Sequence, residues 1–283
     1  MAKMFWSFRL FIDEVLMVFA NLTLSFWFLL QSMLGKKNHM RENVLLKNKH
    51  ADQMGFLVAN GPSINKQNLL LLTGHTCFFV NQSFRHPEYS AIAPKYHVLL
   101  DTKLVSGEWD ITWLDEIVAL NPNVTLLLNE KWYNHEKFKN YKSNEKFKIV
   151  WIDCRKFVHK YLTPSAVDLT KTAPGIAVTG AAFTAMAYMG FKTINMIGQD
   201  GNGLCYELVD DNSHFYGKNQ ENSRKSIRDI QQDLCQMSLS IKQWINLSEY
   251  CERNSLTVIN CTAGGIFDMF DRDSLENATN QPG

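Results

Sequence analysis

VTGAAFTAMAYMGFKTINMIGQD, residues 178–200, carries the reading on which the fold turns. The small residues of GAAFTAMAYMG suit a helix from about Ala181 to Met189 that packs closely on a sheet, with Gly190 as its stop. Ile194 to Gly198 then forms an apolar run of strand length that closes on Asp200. The pattern recurs in both directions: short apolar runs alternate with helical segments, which signals a parallel sheet covered by helices. The further candidate strands are FLVA from Phe56, CFFV from Cys77, HVLL from His97, VTLLL from Val124, KIVWI from Lys148 and LTVIN from Leu256. Each run ends on a polar or acidic residue, in order Asn60, Asn81, Asp101, Asn129, Asp153, Asp200 and Asn260 with Thr262. Open α/β sheets bind ligands outside the carboxyl ends of their strands, so these side chains are expected to converge on one crevice. Within residues 223–253, Ile227, Ile230, Leu234, Met237, Ile241, Trp244 and Leu247 repeat at helical spacing and predict a helix that covers the core.

The N-terminus differs in kind. Val15 to Leu34, VLMVFANLTLSFWFLLQSML, contains no charged residue. Twenty helical residues cover roughly 30 Å, about one hydrocarbon thickness. Before it, Phe5, Phe8, Phe11, Ile12 and Val15 share a helical face, as in an amphipathic lead-in. No small-residue cleavage site follows, and Lys36, Lys37 and Arg41 favour a cytoplasmic position for the rest. Asn21, Thr23, Ser25 and Gln31 weaken a purely spanning reading, so the alternatives are a membrane-associated helix or one docked on the domain or on a second subunit. The expected divisions are residues 1–35 as this helix, 36–53 as a polar linker, 54–270 as one Rossmann-like α/β domain, and 271–283 as a tail that frays.

Bulk composition is that of one globular domain with an appendage: 283 residues, 46% hydrophobic and 20% charged. A net charge of +1 gives no global field to hold a polyanion, so nucleic acid is not an expected partner. The six cysteines contain no C-x-x-C pair and read as reduced thiols in a cytoplasmic domain.

Three constellations carry chemistry. Asn60-Gly61-Pro62-Ser63 follows a strand directly; Gly61 permits close backbone approach, and Asn60 and Ser63 offer hydrogen bonds to ribose or phosphate, although the same residues also describe a plain turn. It is neither a Walker loop nor a dinucleotide fingerprint. Val178-Thr179-Gly180 opens a helix, whose unpaired amides attract anions; simple capping by Thr179 is the alternative. The third is the polar segment from Gly198-Gln199-Asp200 through Tyr206 to Gly217, in which His214 follows Asp210 and Asp211. A histidine beside a carboxylate is suited to take a proton from a sugar hydroxyl near neutral pH.

Taken together, VANGPSI (58–64), FFVNQSF (78–84), the 178–200 stretch and DDNSHFYG (210–217) resemble, in order and spacing, the bacterial CMP-sialic-acid-dependent sialyltransferases of glycosyltransferase family 42. The likeness runs from Phe56 to about Asn260 and is weakest over residues 106–172. It implies a Rossmann-like, GT-A-like sialyltransferase variant that inverts the anomeric centre, uses a CMP-linked sugar as substrate, and needs neither metal nor cofactor. It implies His214 as general base and Tyr206 as stabiliser of the leaving phosphate. It implies Asn60, Gly61, Ser63, Asn81, Asp101, Thr179, Gly180 and Asp200 as the donor site. The chain departs from the pattern where Asn202 replaces a second tyrosine, Asp101 replaces an asparagine, and the arginine usual before Val178 is missing. These departures bear on which acidic sugar is carried. The expected acceptor is a glycan or glycolipid of capsule or lipopolysaccharide, at the cytoplasmic face of a bacterial inner membrane. Its identity is set by segments such as 131–148, which carry no motif.

N-G-P-S and G-x-D also occur in motility-associated flagellin glycosyltransferases and in 6-hydroxymethylpterin diphosphokinases. The kinase alternative requires magnesium, with Asp101 and Asp200 as ligands. A non-catalytic scaffold of transferase fold is the other alternative, and homo-oligomerisation is left open.

Overall fold

The computed structural model describes residues 2–208, 212–217 and 226–280. The seven expected strands form, as Met54–Val58 (β1), Cys77–Val80 (β2), Tyr96–Leu99 (β3), Thr125–Asn129 (β4), Lys148–Ile152 (β5), Thr193–Ile197 (β6) and Thr257–Asn260 (β7). Asp271–Arg272 adds a short β8 at the edge. The order is β5-β4-β3-β2-β1-β6-β7-β8, and every pair is parallel.

Strand alternation distributes the apolar residues over two cores. Leu57, Phe78, Val98 and Met196 face one layer, which holds the helix Ala177–Tyr188 and part of the helix Ile227–Arg253. Phe56, Phe79, Leu99 and Ile197 face the other, against Ile64, Leu69 and the helix Trp113–Leu120. Both faces are covered, which is why the strands read as continuous apolar runs. From β1 the chain builds outward to β5, then returns to place β6 on the other side of β1. That reversal is the topological switch point, where a crevice opens at the strand ends.

Four expectations are corrected. The helix expected from about Ala181 begins at Ala177, with Ile176 as its cap residue, so Thr179 lies inside the first turn and does not cap it. The helix Ile227–Arg253 covers the core only from about Gln243 onward; Ile227 and Leu234 are exposed. Residues 36–53 are packed into the domain: buried Asn43 donates from Nδ2 to the carbonyls of Trp151 and Leu169, at 2.8 and 2.9 Å. Residues 271–280 form β8 and the helix Leu275–Thr279, anchored by buried Leu275 and Ala278.

The N-terminal helix Ala2–Met33 lies against the domain through a narrow polar stripe. Glu14 accepts from Asn246 Nδ2 (2.9 Å) and the Lys160 amide (3.0 Å), and pairs with Lys242 (3.1 Å). One turn beyond buried Met17, Asn21 exchanges two 2.8 Å hydrogen bonds with the backbone of Phe157. Its opposite side leaves Phe8, Phe19, Leu22 and Phe26 exposed. The apolar span from Ser7 to Met33 is long enough to cross a membrane and is 11% buried.

Candidate active site

The strand ends flanking the switch point enclose a cavity of about 220 Å³ lined by Asn60, Gly61, Asn81, Thr179, Asp200 and His214. Six residues spread over 155 positions of sequence thus share one crevice. A neighbouring cavity of about 320 Å³ shares Asn81 and Val178 with it and adds Asp101, Asn129, Cys154 and Arg155.

The N-G-P-S turn acts as a brace at this edge. Ser63 donates from its hydroxyl to Asp200 Oδ2 at 2.8 Å, and the Gly61 amide donates to the Gly198 carbonyl at 2.9 Å. A Cβ at Gly61 would collide with the Asp200 carboxylate, so only glycine allows the two loops to meet. Gly198, with φ of +67°, makes the reciprocal close approach to Ala59 and Ile64. Ser63 and Asp200 therefore spend hydrogen bonds on each other, and Gly61 serves by its lack of a side chain.

Asn60 and Asn81 are different. Each keeps a buried side-chain Oδ1 with no hydrogen-bond partner among the described residues. Buried polar atoms are nearly always paired, so two such atoms at one crevice mark positions for ligand donors. Asn81 is also held at φ of +45°, a conformation that costs a residue with a side chain about 1 kcal/mol or more. Beneath it, the buried ring of His97 donates from Nε2 to the Asn81 carbonyl (2.8 Å), while Nδ1 faces the Tyr89 hydroxyl (3.0 Å). The carbonyl can only accept, which assigns the proton to Nε2 and leaves Nδ1 to accept from Tyr89. Burial pushes the His97 pKa down to about 4, so the ring is neutral and both bonds are satisfied.

The helix Ala177–Tyr188 points its N-terminus at the crevice. Its first intrahelical bond runs from the Gly180 amide to the Ile176 carbonyl, which leaves the amides of Val178 and Thr179 without an intrahelical partner. Gly180 thus contributes packing: a Cβ there would press into Ile176. Ala177, at φ of +50°, forms the strained entry to the helix and lines the second cavity.

His214 reaches the crevice because its neighbour is pinned there: the Phe215 amide donates to the Asn60 carbonyl, and Asn65 Nδ2 donates to the Phe215 carbonyl, both at 3.0 Å. The His214 ring stacks on Tyr216, and its Nδ1 lies 2.9 Å from Ser213 Oγ. Burial, aided by Lys103 and opposed by Glu207, holds its pKa below the ordinary imidazole value. Asp210 and Asp211, expected to orient it, lie outside the described residues. Tyr206 stands half-buried on the helix Gly203–Leu208 and, among the described residues, does not line either cavity. Asp101 accepts from the Lys103 amide at 3.0 Å and lines the second cavity only.

Comparison with solved structures returns Campylobacter jejuni enzymes. The likeness is to sialyltransferases. CstII with the substrate analogue CMP-3FNeuAc is 11% identical, with 81% of this chain and 89% of that chain covered and a TM-score of 0.47. CstII with cytidine-5'-monophosphate is 12% identical, covered over 82% and 88%, with a TM-score of 0.48. The monofunctional α-2,3-sialyltransferase Cst-I is 13% identical, covered over 82% and 83%, with a TM-score of 0.46. No protein-family model and no curated protein matches the chain.

Two residues of the site were missed in the sequence. His97 reads there as one more strand residue in HVLL, and nothing local marks its partner as the Asn81 carbonyl. Arg155, three positions beyond the β5 end, borders the second cavity while its guanidinium grips both oxygens of Asp153. That carboxylate also takes the Thr172 hydroxyl at 2.8 Å, so the arginine is held in place and is a fixed cation beside the crevice.

Proposed function

We propose that the protein is an inverting glycosyltransferase that moves an acidic sugar of the sialic acid type from a CMP-linked donor to a glycan hydroxyl. The observation that carries this reading is the placement of His214 in the same crevice as two buried, unpartnered asparagine oxygens and an open helix N-terminus. The asparagines offer acceptors to the donor's amino and hydroxyl hydrogens. The helix amides of Val178 and Thr179 offer donors to its phosphate. Arg155 supplies a cation for an acidic sugar, taking the place of the arginine missing before Val178.

The reaction is a single displacement. In the tautomer whose Nδ1–H donates to the Ser213 hydroxyl, the lone pair of His214 is on Nε2, which removes the proton from the acceptor hydroxyl. That oxygen bonds to the anomeric carbon as the bond from carbon to phosphate oxygen breaks, and CMP leaves with the electron pair. The lowered pKa of His214 keeps the ring neutral, hence competent as a base, at neutral pH. The kinase alternative gains nothing from the geometry: Asp101 and Asp200 line different cavities, and Asp200 is engaged by Ser63.

The enzyme works at a membrane surface, on the cytoplasmic face of a bacterial inner membrane, and its helix lies along that surface without crossing it. Glu14 and Asn21 fasten the middle of the apolar span to the domain, while the opposite side stays free for the acyl boundary. A screen of CMP, UDP and GDP, with thermal shift as the readout, tests the donor class; CMP should raise the Tm most. CMP-sugar turnover should persist in excess EDTA. Selective stabilisation by UDP or GDP, or loss of turnover restored by magnesium, overturns the reading.

A further inference from the structure

A third cavity, of about 280 Å³, opens between the C-terminal end of the N-terminal helix and the ends of β4 and β5. Its lining combines two chemistries. Leu24, Trp27 and Phe28 of the helix give it an apolar side, while Lys36, Lys37, Lys131 and Arg155 line it together with Glu130 and Asp153. Four cations face two carboxylates, and Asp153 is already saturated by Arg155 and Thr172. Neither Lys37 nor Lys131 forms an ion pair among the described residues. An uncompensated positive charge against an aromatic wall suits a ligand that is anionic at one end and apolar at the other.

Two continuities say how such a ligand would lie. Arg155 lines both this cavity and the one that holds Asn81 and Asp101, so the cationic end opens toward the donor crevice. Trp27 lines the cavity yet is 54% exposed, next in the helix to the exposed Phe26. The apolar end therefore opens toward the face assigned to the membrane. Lysines act as point charges that can converge on a tetrahedral anion from several directions, where a planar carboxylate is better matched by an arginine fork.

We propose that this cavity is the acceptor subsite for a lipid-linked phosphate: the phosphate sits between Lys37 and Lys131, and the first part of the lipid runs along Trp27 and Phe28. The attached glycan then extends past Arg155 to His214. This rests on the transferase reading, and it explains how a helix remote from the switch point serves the reaction.

The full chain in dodecyl maltoside micelles, doped with dodecyl phosphate or with dodecanol, tests the assignment by thermal shift against inorganic phosphate in the buffer. Dodecyl phosphate should saturate at a concentration at least tenfold lower than inorganic phosphate, and dodecanol should give no saturable shift. The double variant Lys37→Gln/Lys131→Gln should raise the half-saturating dodecyl phosphate concentration about tenfold or more. Lys47→Gln/Lys192→Gln, an equal charge loss at exposed positions elsewhere, should not. Trp27→Ala should weaken dodecyl phosphate and leave inorganic phosphate unaffected. Equal affinity for free and alkyl phosphate, or the same loss in both double variants, overturns the proposal. CMP affinity on the same samples separates the two readings: CMP binding without discrimination among the probes overturns the acceptor subsite alone, whereas no CMP binding removes the transferase and the acceptor role with it.

Discussion

At the scale of residues, the site divides into groups free to meet a ligand and groups that hold them. His214 belongs to the first set, and His214→Ala is expected to lower turnover by roughly 10²- to 10⁴-fold with donor affinity little changed. Asn60→Ala should do the reverse, because its buried Oδ1 has no partner to lose among the described residues. Steady-state kinetics with CMP binding on both variants decides this; a stable His214→Ala enzyme with near-normal turnover removes the histidine from the mechanism. In wild type the acid limb of kcat/KM should fall below pH 6.5, since burial lowers the pKa of this base. His97 belongs to the second set. Its folded pKa of about 4 lies below the value of about 6.5 for a free imidazole, so the unfolded chain takes up the proton first on acidification. Its contribution is complete above pH 6.5 and is lost between there and pH 4, by an amount on the order of 3 kcal/mol. Urea midpoints at pH 7 and pH 4.5 should show a smaller acid loss in His97→Gln than in wild type; an identical loss would mean that other groups set it.

At the scale of elements, the N-terminal helix is the one that composition and contacts describe differently. Its mean character is apolar, yet its attachment is polar, through Glu14, Asn21 and the Lys242 ammonium that also donates to the Leu10 carbonyl at 2.7 Å. Among the described residues, Glu14→Ala removes the only carboxylate paired with Lys242, whose side chain is 15% exposed, and one of the two acceptors of Asn246 Nδ2, which keeps the Val158 carbonyl. The loss should be about 1–3 kcal/mol, seen as a lower Tm, with CMP affinity retained. Removal of residues before Lys36 should likewise give a soluble, CMP-binding domain of reduced stability. Aggregation of that truncated domain, with no CMP binding, would make the helix an integral part of the core. The neighbouring segment 36–53 shows how composition misleads at this scale. Its polar sequence hides Asn43, whose Nδ2 donates to the backbone carbonyls of Trp151 and Leu169, and His50, bonded to the Tyr96 hydroxyl at 2.9 Å.

At the scale of the whole molecule, the return from β5 to β6 converts a row of strand ends into a site. It brings the Asn60 turn, the Asp200 loop and the first turn of the helix Ala177–Tyr188 to one edge, and the His214 segment is stitched to that edge by the Phe215 amide. The same edge continues past Arg155 to the cavity under the N-terminal helix, so the His214 crevice, the fixed cation and the exposed apolar side of that helix lie along one line of cavities.

The sequence by itself determined the strands and the parallel sheet, because a strand buried on both faces must be apolar throughout and must end where its backbone meets water. It also determined the candidate crevice, because parallel strands share a common polar end. Tertiary structure alone decided which of those residues are free. Ser63 and Asp200 look like ligand groups until the turn that Gly61 permits brings them within 2.8 Å of each other. Gly180 looks like part of an anion site until the helix start at Ala177 commits its amide. A hydrogen bond between residues more than a hundred positions apart leaves no local pattern in the chain. For that reason the brace, the neutral His97 beneath Asn81 and the polar fastening of an apolar helix were legible only once the chain was folded.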